Sequence, residues 1–200
     1  MHSSKFNANT LLAVTVGACA IFAPALHSVS DILEWYQNGY TVTQLWLKYI
    51  AFIPMPWLLL GICLAHTPRL GTLGFVGALL YGMGFVYFEH TVLYALAEDI
   101  STYQELKSRL GALNTVYGTF MIYGALMFAW AAFRARWLPG FSVLLLALGI
   151  VINFLLWLAN VPDSFQTIGS AVKNLGIASM GWTLLFKRGS AAVSQETVPK

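Results

Sequence analysis

The stretch LGTLGFVGALLYGMGFVYFEHTVLYALA, residues 70–97, decides the class of the fold. As a helix it is long enough to cross roughly 30 Å of hydrocarbon. Its only acidic, basic or imidazole side chains are the adjacent Glu89 and His90. Similar apolar blocks recur along the chain, and the predicted spans are residues 10–26, 45–65, 70–97, 110–133, 138–159 and 165–186. The sequence therefore predicts an all-α, polytopic membrane protein, folded as a bundle of six transmembrane helices.

The composition agrees with this class. Of the 200 residues, 58% are hydrophobic and 10% are charged, whereas about a quarter of the residues of a soluble domain are charged. Most linkers between the blocks are only a few residues long, which leaves no room for a separate soluble domain. We expect a single transmembrane domain at residues 1–188 and a short, disordered cytoplasmic tail at 189–200. The net charge of +3 is attributed to membrane orientation, so no nucleic-acid partner is predicted.

Seven of the eleven Lys and Arg side chains lie on one side of a six-span path, and this side is expected to be the cytoplasm. These seven residues are Lys5, Arg69, Arg134, Arg136, Lys187, Arg188 and Lys200. The other four, Lys48, Lys107, Arg109 and Lys173, lie at the opposite ends among the acidic residues. Both termini are therefore predicted to be cytoplasmic, and the predicted location is the inner (plasma) membrane of a bacterium. The first block resembles a signal peptide, because Lys5 precedes an apolar stretch that ends in Ala23-Pro24-Ala25. We treat it as a retained first helix.

Local motifs predict where helices begin and where they are interrupted. Thr102 and Glu105 form a capping box, in which the hydroxyl accepts from an early amide and the glutamate reaches back. Arg109 lies one turn after Glu105, so the two side chains can form an ion pair on the helix surface. Pro54 and Pro56 are expected to disturb the second span, because proline removes a backbone donor.

Small residues mark the faces on which helices can approach each other closely. They recur in the third span at Gly74, Ala78 and Gly82, and in the fourth at Gly118, Ala125 and Ala132. Glu89 lies roughly 20° around the helix from Gly82, so we expect its carboxylate to point into the bundle. His90 is turned about 100° away and is expected to meet a different neighbour.

Polar side chains gather at one end of the predicted bundle, beneath the extracytoplasmic surface. His27, Asp31 and Glu34 form one face of the first helix, because they are spaced at i, i+4 and i+7. The other helices place polar or aromatic residues at the same end: Lys48, Asn114, Tyr117, Asn153, Trp157, Asn160, Gln166, Ser170, Lys173 and Asn174. Ionisable groups are costly when exposed to lipid, so we expect them to face each other or a cavity.

These positions predict a polar pocket, open to the outer leaflet, that binds a small lipophilic molecule. The stronger form of the hypothesis adds acid–base chemistry of the isomerase, cyclase or hydrolase type, which needs a carboxylate placed to exchange a proton. Its candidate catalytic residues are Glu89, His27 and Asp31. The candidate ligand-binding residues are His90, Asn114, Tyr117, Asn153, Trp157, Lys173 and Asn174.

Other functions fit the same residues. No cofactor is predicted, and the alternative is a metal or a b-type haem at His27 and His90. Glu89 can instead form a structural ion pair with Lys173 or Lys48, or take up protons during ion transport. The main alternative function is a non-catalytic subunit or assembly partner of a larger membrane complex. The expected partners are membrane lipids, the lipophilic ligand, and further copies of this chain or other subunits.

Overall fold

The computed structural model describes the backbone of residues 8–65, 70–159, 161 and 165–196, and the side chains of 10–65, 70–159, 161 and 165–186. This part of the chain is helical and contains no strand, which confirms the all-α class. The helices are α1 (Ala8–Gln37), α2 (Val42–Phe52), α3 (Met55–Leu64), α4 (Gly71–Ala97), α5 (Tyr103–Leu110), α6 (Ala112–Ala135), α7 (Gly140–Leu158) and α8 (Gln166–Glu196).

Five helical segments of the described chain are long and apolar enough to cross a membrane. They are Thr10–Gln37, Val42–Leu64, Gly71–Ala97, Ala112–Ala135 and Gly140–Leu158. Large apolar side chains, among them Phe22, Trp57 and Trp130, are exposed on these segments. Soluble proteins rarely expose so much contiguous apolar surface. The chain is therefore a multi-pass integral membrane protein.

The sixth predicted span, residues 165–186, corresponds to the part of α8 whose side chains are described. It is not one of these five segments. Polar side chains in its first half, Lys173 among them, lower its hydropathy, although α8 packs along both α1 and α7. The count of six, the sidedness of the termini and the domain limits stay predictions. Residues that entered those predictions but lie outside the described part of the chain are Lys5, Arg69, Asn160 and 197–200.

The helix interruptions follow the local motifs. Pro54 is the N-cap residue of α3, so the second span breaks into α2 and α3 where proline was expected to disturb it. Thr102 Oγ1 accepts a hydrogen bond from Glu105 N at 3.3 Å, which confirms the predicted cap of α5. The predicted ion pair between Glu105 and Arg109 is also present, at 2.7 Å. The cap at Thr102 predicts one helix that begins near Tyr103 and continues into the fourth span. This prediction is wrong, because Gly111 has a positive φ of 56° and separates α5 from α6.

The spanning segments close into a ring in chain order. Each packs against the next in the order α1, the α2–α3 pair, α4, α6, α7 and α8. The ring closes because α8 packs against α1. Glycines allow the closest approaches, as expected where helices associate within lipid. A Cβ on Gly77 of α4 would lie 2.8 Å from Gly124 O of α6, and one on Gly181 of α8 would lie 2.7 Å from Gly17 O of α1.

The two predicted small-residue faces have different outcomes. On α4, Gly82 packs against α3, where an added Cβ would lie 2.6 Å from Pro56 O. On α6, Ala125 and Ala132 are fully buried. The expected packing role of Gly118 is wrong, because a Cβ at that position would meet no atom within 4 Å. Gly118 lies beside open space, which leads to the cavity inside the ring.

Candidate functional site

A cavity of about 240 Å³ lies inside the ring of helices. Every spanning segment and α8 contribute to its wall. The charged and imidazole side chains of the wall are His27, Asp31, Glu34, Lys48 and Lys173. Its aromatic side chains are Tyr40, Phe52, Phe85, Phe88, Tyr103, Phe154 and Trp157, and its remaining residues are Asn114, Thr115, Gly118, Thr119, Met121, Ile122, Ile150, Asn153, Gln166, Thr167 and Ser170.

The cavity occupies one end of the bundle. The wall is formed by the second half of α1, α4 and α7, and by the first half of the second span (Val42–Leu64), α6 and α8. Alternating helix directions require this arrangement. His27, Asp31 and Lys173 are all buried at this end. At the opposite end the buried polar side chains of the described chain are the hydroxyls of Ser142 and Thr183. The polar asymmetry expected from the sequence is therefore present in the structure.

Lys48 of α2 is held between two carboxylates of α1. Its Nζ lies 3.0 Å from Asp31 Oδ1 and forms a second ion pair with Glu34 Oε2. Gln44, one turn before Lys48, donates to Glu34 Oε2 at 3.3 Å and to Ser30 Oγ at 3.0 Å. These contacts fix α1 to α2 and carry one excess negative charge, that of two carboxylates and one ammonium.

His27 has a polar partner at each ring nitrogen. Its Nε2 lies 3.3 Å from Asp31 Oδ2, and Asn174 Nδ2 of α8 lies 3.3 Å from its Nδ1. A carboxylate paired with Lys48 can only accept, so the Nε2 carries the proton and Nδ1 accepts from the amide. The ring also packs edge-on against Phe52, with centroids 4.8 Å apart. His27 therefore braces the wall and has no ring nitrogen left for another group.

Asn174 holds His27 in place from outside the cavity wall. It is buried, and its Nδ2 also donates to Ser28 Oγ at 3.0 Å. Its predicted role in contacting a ligand directly does not match this position, because its side chain lies between α8 and α1 and is not part of the cavity wall. It positions His27 instead.

The amides at the opposite wall are predicted ligand-binding residues that do face the cavity. Asn114 of α6 donates to Tyr103 Oη at 3.3 Å, and Asn153 of α7 donates to Ser170 Oγ of α8 at 3.3 Å. Trp157, one turn after Asn153, lies on the same part of the wall. These side chains surround the space between α6, α7 and α8.

Glu89, His90 and Tyr117 do not reach the cavity. The expected inward orientation of Glu89 was extrapolated from Gly82, but Gly82 faces α3 and the cavity-facing residues of α4 are Phe85 and Phe88. Glu89 follows Phe88 and is turned about 100° from it, which leaves its side chain half-buried beside the wall.

The ring of Tyr117 stacks on Tyr87 with centroids 4.2 Å apart, and His90 is exposed. An ion pair of Glu89 with Lys48 is not observed, since the carboxylates at Lys48 are Asp31 and Glu34. The pairing of Glu89 with Lys173 is absent from the described contacts as well.

The metal and haem alternatives lose their geometric basis. His27 is buried inside the ring, whereas His90 is exposed and outside the cavity, so the two imidazoles do not face a common space. In the described chain no group of three or more His, Cys, Asp or Glu side chains is arranged to hold a metal ion.

Sequence reasoning left Glu34, Lys48 and the aromatic wall out of the ligand-binding set. The spacing of Glu34 on the polar face of α1 was a usable signal, and so was the position of Lys48 at the same end of the bundle. No periodicity distinguishes Phe52, Phe85 and Phe88 from the many lipid-facing aromatic residues.

Compared with protein-family models, with curated protein sequences and with solved structures, the chain shows no match. The function is therefore argued from the geometry of the cavity.

Proposed function

We propose that this integral membrane protein binds a small amphipathic molecule in the cavity inside its helical ring. The polar part of the ligand meets the end of the cavity formed by α1, α2 and α8, and the apolar part lies against Ile150, Phe154, Met121 and Ile122. We further propose that the cavity opens to the outer leaflet of a bacterial inner membrane and that both termini are cytoplasmic. The distribution of Lys and Arg along the sequence supports that orientation.

The observation that supports binding is a set of buried charges arranged around a space. Burying ionisable groups within a membrane protein is costly, and those that are kept usually serve a function. Lys48 and Lys173 lie on the wall of a cavity of about 240 Å³ together with Asp31. Ligand sites of this kind are mostly apolar and contain a few fixed polar groups. The cavity is slightly smaller than the typical range of roughly 300–1,000 Å³, which favours a small ligand.

The contacts of the polar groups favour binding over acid–base catalysis. Both ring nitrogens of His27 have polar partners, and each oxygen of Asp31 has a cationic or imidazole partner. Glu89, the predicted central base, lies off the wall. A general base must come within hydrogen-bond reach of the proton that it removes. His27 lies on the wall, but its Nδ1, the nitrogen able to accept a proton, already has Asn174 as its partner.

A non-catalytic subunit of a larger complex is the second candidate. The contacts that favour it join helices to each other: the Asp31–Lys48–Glu34 cluster between α1 and α2, and the hydroxyls of Ser142 and Ser179 at 2.6 Å between α7 and α8. If these groups served only to pack the helices, the cavity would bind no ligand, and filling it would not change the binding of a lipophilic probe.

The test fills the cavity from Gly118, where a new side chain has space. A Cβ at Gly118 or at Gly140 meets no atom within 4 Å, but Gly140 begins α7 at the end of the bundle away from the cavity. Gly118→Leu and Gly140→Leu are therefore matched variants. Binding of radiolabelled decanol, an uncharged probe, is measured by scintillation proximity on protein in nanodiscs.

We expect the wild type and Gly140→Leu to bind decanol saturably, and Gly118→Leu to lose at least about tenfold in affinity, equivalent to about 1.4 kcal/mol. Thermal unfolding of all three proteins checks that the fold is retained. Absence of saturable binding to the wild type, or equal binding by both variants, contradicts the proposed cavity site and favours the subunit function.

A further inference from the structure

Lys173 is a buried lysine on the cavity wall. The residue is 2% exposed, and its Nζ lies 5.2 Å from the centroid of the Phe85 ring. Within the described residues this ring is its one direct contact of a polar kind: no hydrogen bond or ion pair reaches the ammonium. A buried cation usually has a carboxylate or several hydrogen-bond acceptors around it, so the three donors of Lys173 are available to a group in the cavity.

The carboxylates nearest in the fold are already engaged by other cations or donors. Asp31 binds Lys48 through Oδ1 and His27 through Oδ2. Glu34 binds Lys48 and accepts from Gln44. The excess negative charge of this cluster balances the charge of Lys173 across the cavity, but no carboxylate oxygen of the described chain comes within ion-pair distance of its Nζ.

The surroundings of Lys173 suit one small anionic group attached to an apolar body. Ser170 is one turn before Lys173 on the same face of α8 and has a hydroxyl on the wall. The wall next to it, from α6 and α7, is apolar at Met121, Ile122 and Ile150. Lys48 is the other cation of the described wall and already has two carboxylate partners, which leaves a single ammonium for the ligand. A dianionic phosphate would need more cations or N–H donors than this wall presents.

We propose that the ligand is a lipophilic monocarboxylate whose carboxylate pairs with the Lys173 ammonium while its chain lies along the α6–α7 wall. This inference rests on the proposed function, since it names the chemical class of the molecule bound in the same cavity. The ion pair forms away from bulk water, where a charge-assisted hydrogen bond is stronger than a neutral one.

The experiment compares decanoate with decanol, which share a chain and differ in charge. Binding of both radiolabelled probes is measured on the wild type, Lys173→Met and Lys173→Arg in nanodiscs. The ratio of the two affinities is compared between proteins, because partition of each probe into lipid is common to all of them. Lys107→Met is the matched control, since Lys107 lies on α5 and is not part of the cavity wall.

We expect Lys173→Met to weaken decanoate binding at least about tenfold, equivalent to about 1.4 kcal/mol, and to leave decanol binding within about twofold, a difference of roughly 0.4 kcal/mol. Lys173→Arg keeps the charge and should retain part of the preference for decanoate, whereas Lys107→Met should match the wild type. Methionine is close to lysine in volume, and it removes a buried charge that has no ion-pair partner in the described chain, together with the desolvation cost of that charge.

Several results overturn the inference. If the wild type binds decanol but shows no preference for decanoate, or if Lys173→Met leaves the preference unchanged, the monocarboxylate assignment is wrong and the cavity site stands. If Lys173→Met weakens both probes equally while its thermal stability is unchanged, Lys173 shapes the cavity and does not bind the carboxylate. If decanol does not bind to the wild type, the proposed function is wrong, and the monocarboxylate assignment, which rests on it, is wrong as well.

Discussion

Replacing Asp31 by asparagine should unbalance the charged cluster between α1 and α2. The substitution keeps the size of the side chain and removes its charge. Asp31 pairs with Lys48 at 3.0 Å and lies 3.3 Å from His27 Nε2, and its side chain is 9% exposed. An asparagine has one oxygen for these two donors, so its NH2 group must face either the ammonium or the imidazole N–H.

The expected loss of stability can be built from these two contacts. Removing one partner of a buried ion pair costs about 3–5 kcal/mol. Lys48 keeps Glu34 as a second carboxylate partner, so the cost of losing the Asp31–Lys48 ion pair should be at or below about 3 kcal/mol, the lower end of that range. A buried donor without an acceptor costs about 1–3 kcal/mol, and it partly overlaps the first contribution. We therefore expect Asp31→Asn to lower the free energy of unfolding by about 3 kcal/mol.

The assay is reversible unfolding in mixed micelles, followed by far-UV circular dichroism. Glu98→Gln is the control, because the Glu98 side chain is 48% exposed and pairs with Arg109 at 3.4 Å. Exposed pairs contribute about 0–1 kcal/mol. The double variant Asp31→Asn/Lys48→Met should lose less stability than the sum of the two single losses, because either substitution alone already removes the Asp31–Lys48 ion pair.

The reasoning would be refuted if Asp31→Asn cost no more than Glu98→Gln. It would also be refuted if the losses from Asp31→Asn and Lys48→Met simply added, because residues that share an ion pair should show coupling.

Two further predictions test the packing of the helices. Gly149→Ala should lower the free energy of unfolding by about 3 kcal/mol or more, because the new Cβ would overlap the backbone N of Lys173 where α7 packs on α8. Gly118→Ala should instead raise the free energy of unfolding by about 0.5–1 kcal/mol. The same unfolding assay compares the two variants, and equal effects would contradict the assigned contacts. Thr102→Ala should remove the cap of α5 and increase amide hydrogen exchange in residues 103–106 by roughly five- to tenfold, equivalent to about 1 kcal/mol, while unchanged exchange would contradict the assigned cap.

The spans could be predicted from sequence because each apolar block is bounded by polar or charged residues. The predicted span 70–97 corresponds to α4 (Gly71–Ala97), and 138–159 corresponds to α7 (Gly140–Leu158). The end of α1 could not be predicted in this way, since the helix continues from the predicted end at residue 26 to Gln37. Hydropathy reports where a segment leaves apolar surroundings, whereas a helix ends where its backbone hydrogen bonds end.

The site was predictable where several polar residues repeat on one helix face. His27 and Asp31 do so, and both line the cavity. Glu89 was a single polar residue assigned through the packing face of Gly82, and a helix changes neighbours along its length. Asn174 was placed at the correct end of the bundle, but its contact with His27 joins two helices 147 residues apart in sequence. One sequence contains no information on such a pair without a structural template.

The distribution of polar contacts around the ring determines which side of the cavity can widen. Described side-chain hydrogen bonds or ion pairs join α1 to α2, α1 to α8, and α7 to α8. None in the described chain joins α6 to α7, and the wall of α6 along this boundary includes Gly118 and the exposed Thr115 and Thr119. Separating α6 from α7 therefore disrupts mainly apolar contacts, which within lipid are replaced by contacts with acyl chains. Opening the ring at the α1–α2, α1–α8 or α7–α8 boundary would leave a charge or an amide unpaired in an apolar medium. The α3–α4 and α4–α6 boundaries also lack such bonds in the described chain, but close packing of Gly82 on Pro56 and of Gly77 on Gly124 holds them together. We therefore expect the proposed ligand to enter the cavity between α6 and α7, because the charged cluster between α1 and α2 stays intact when these two helices separate.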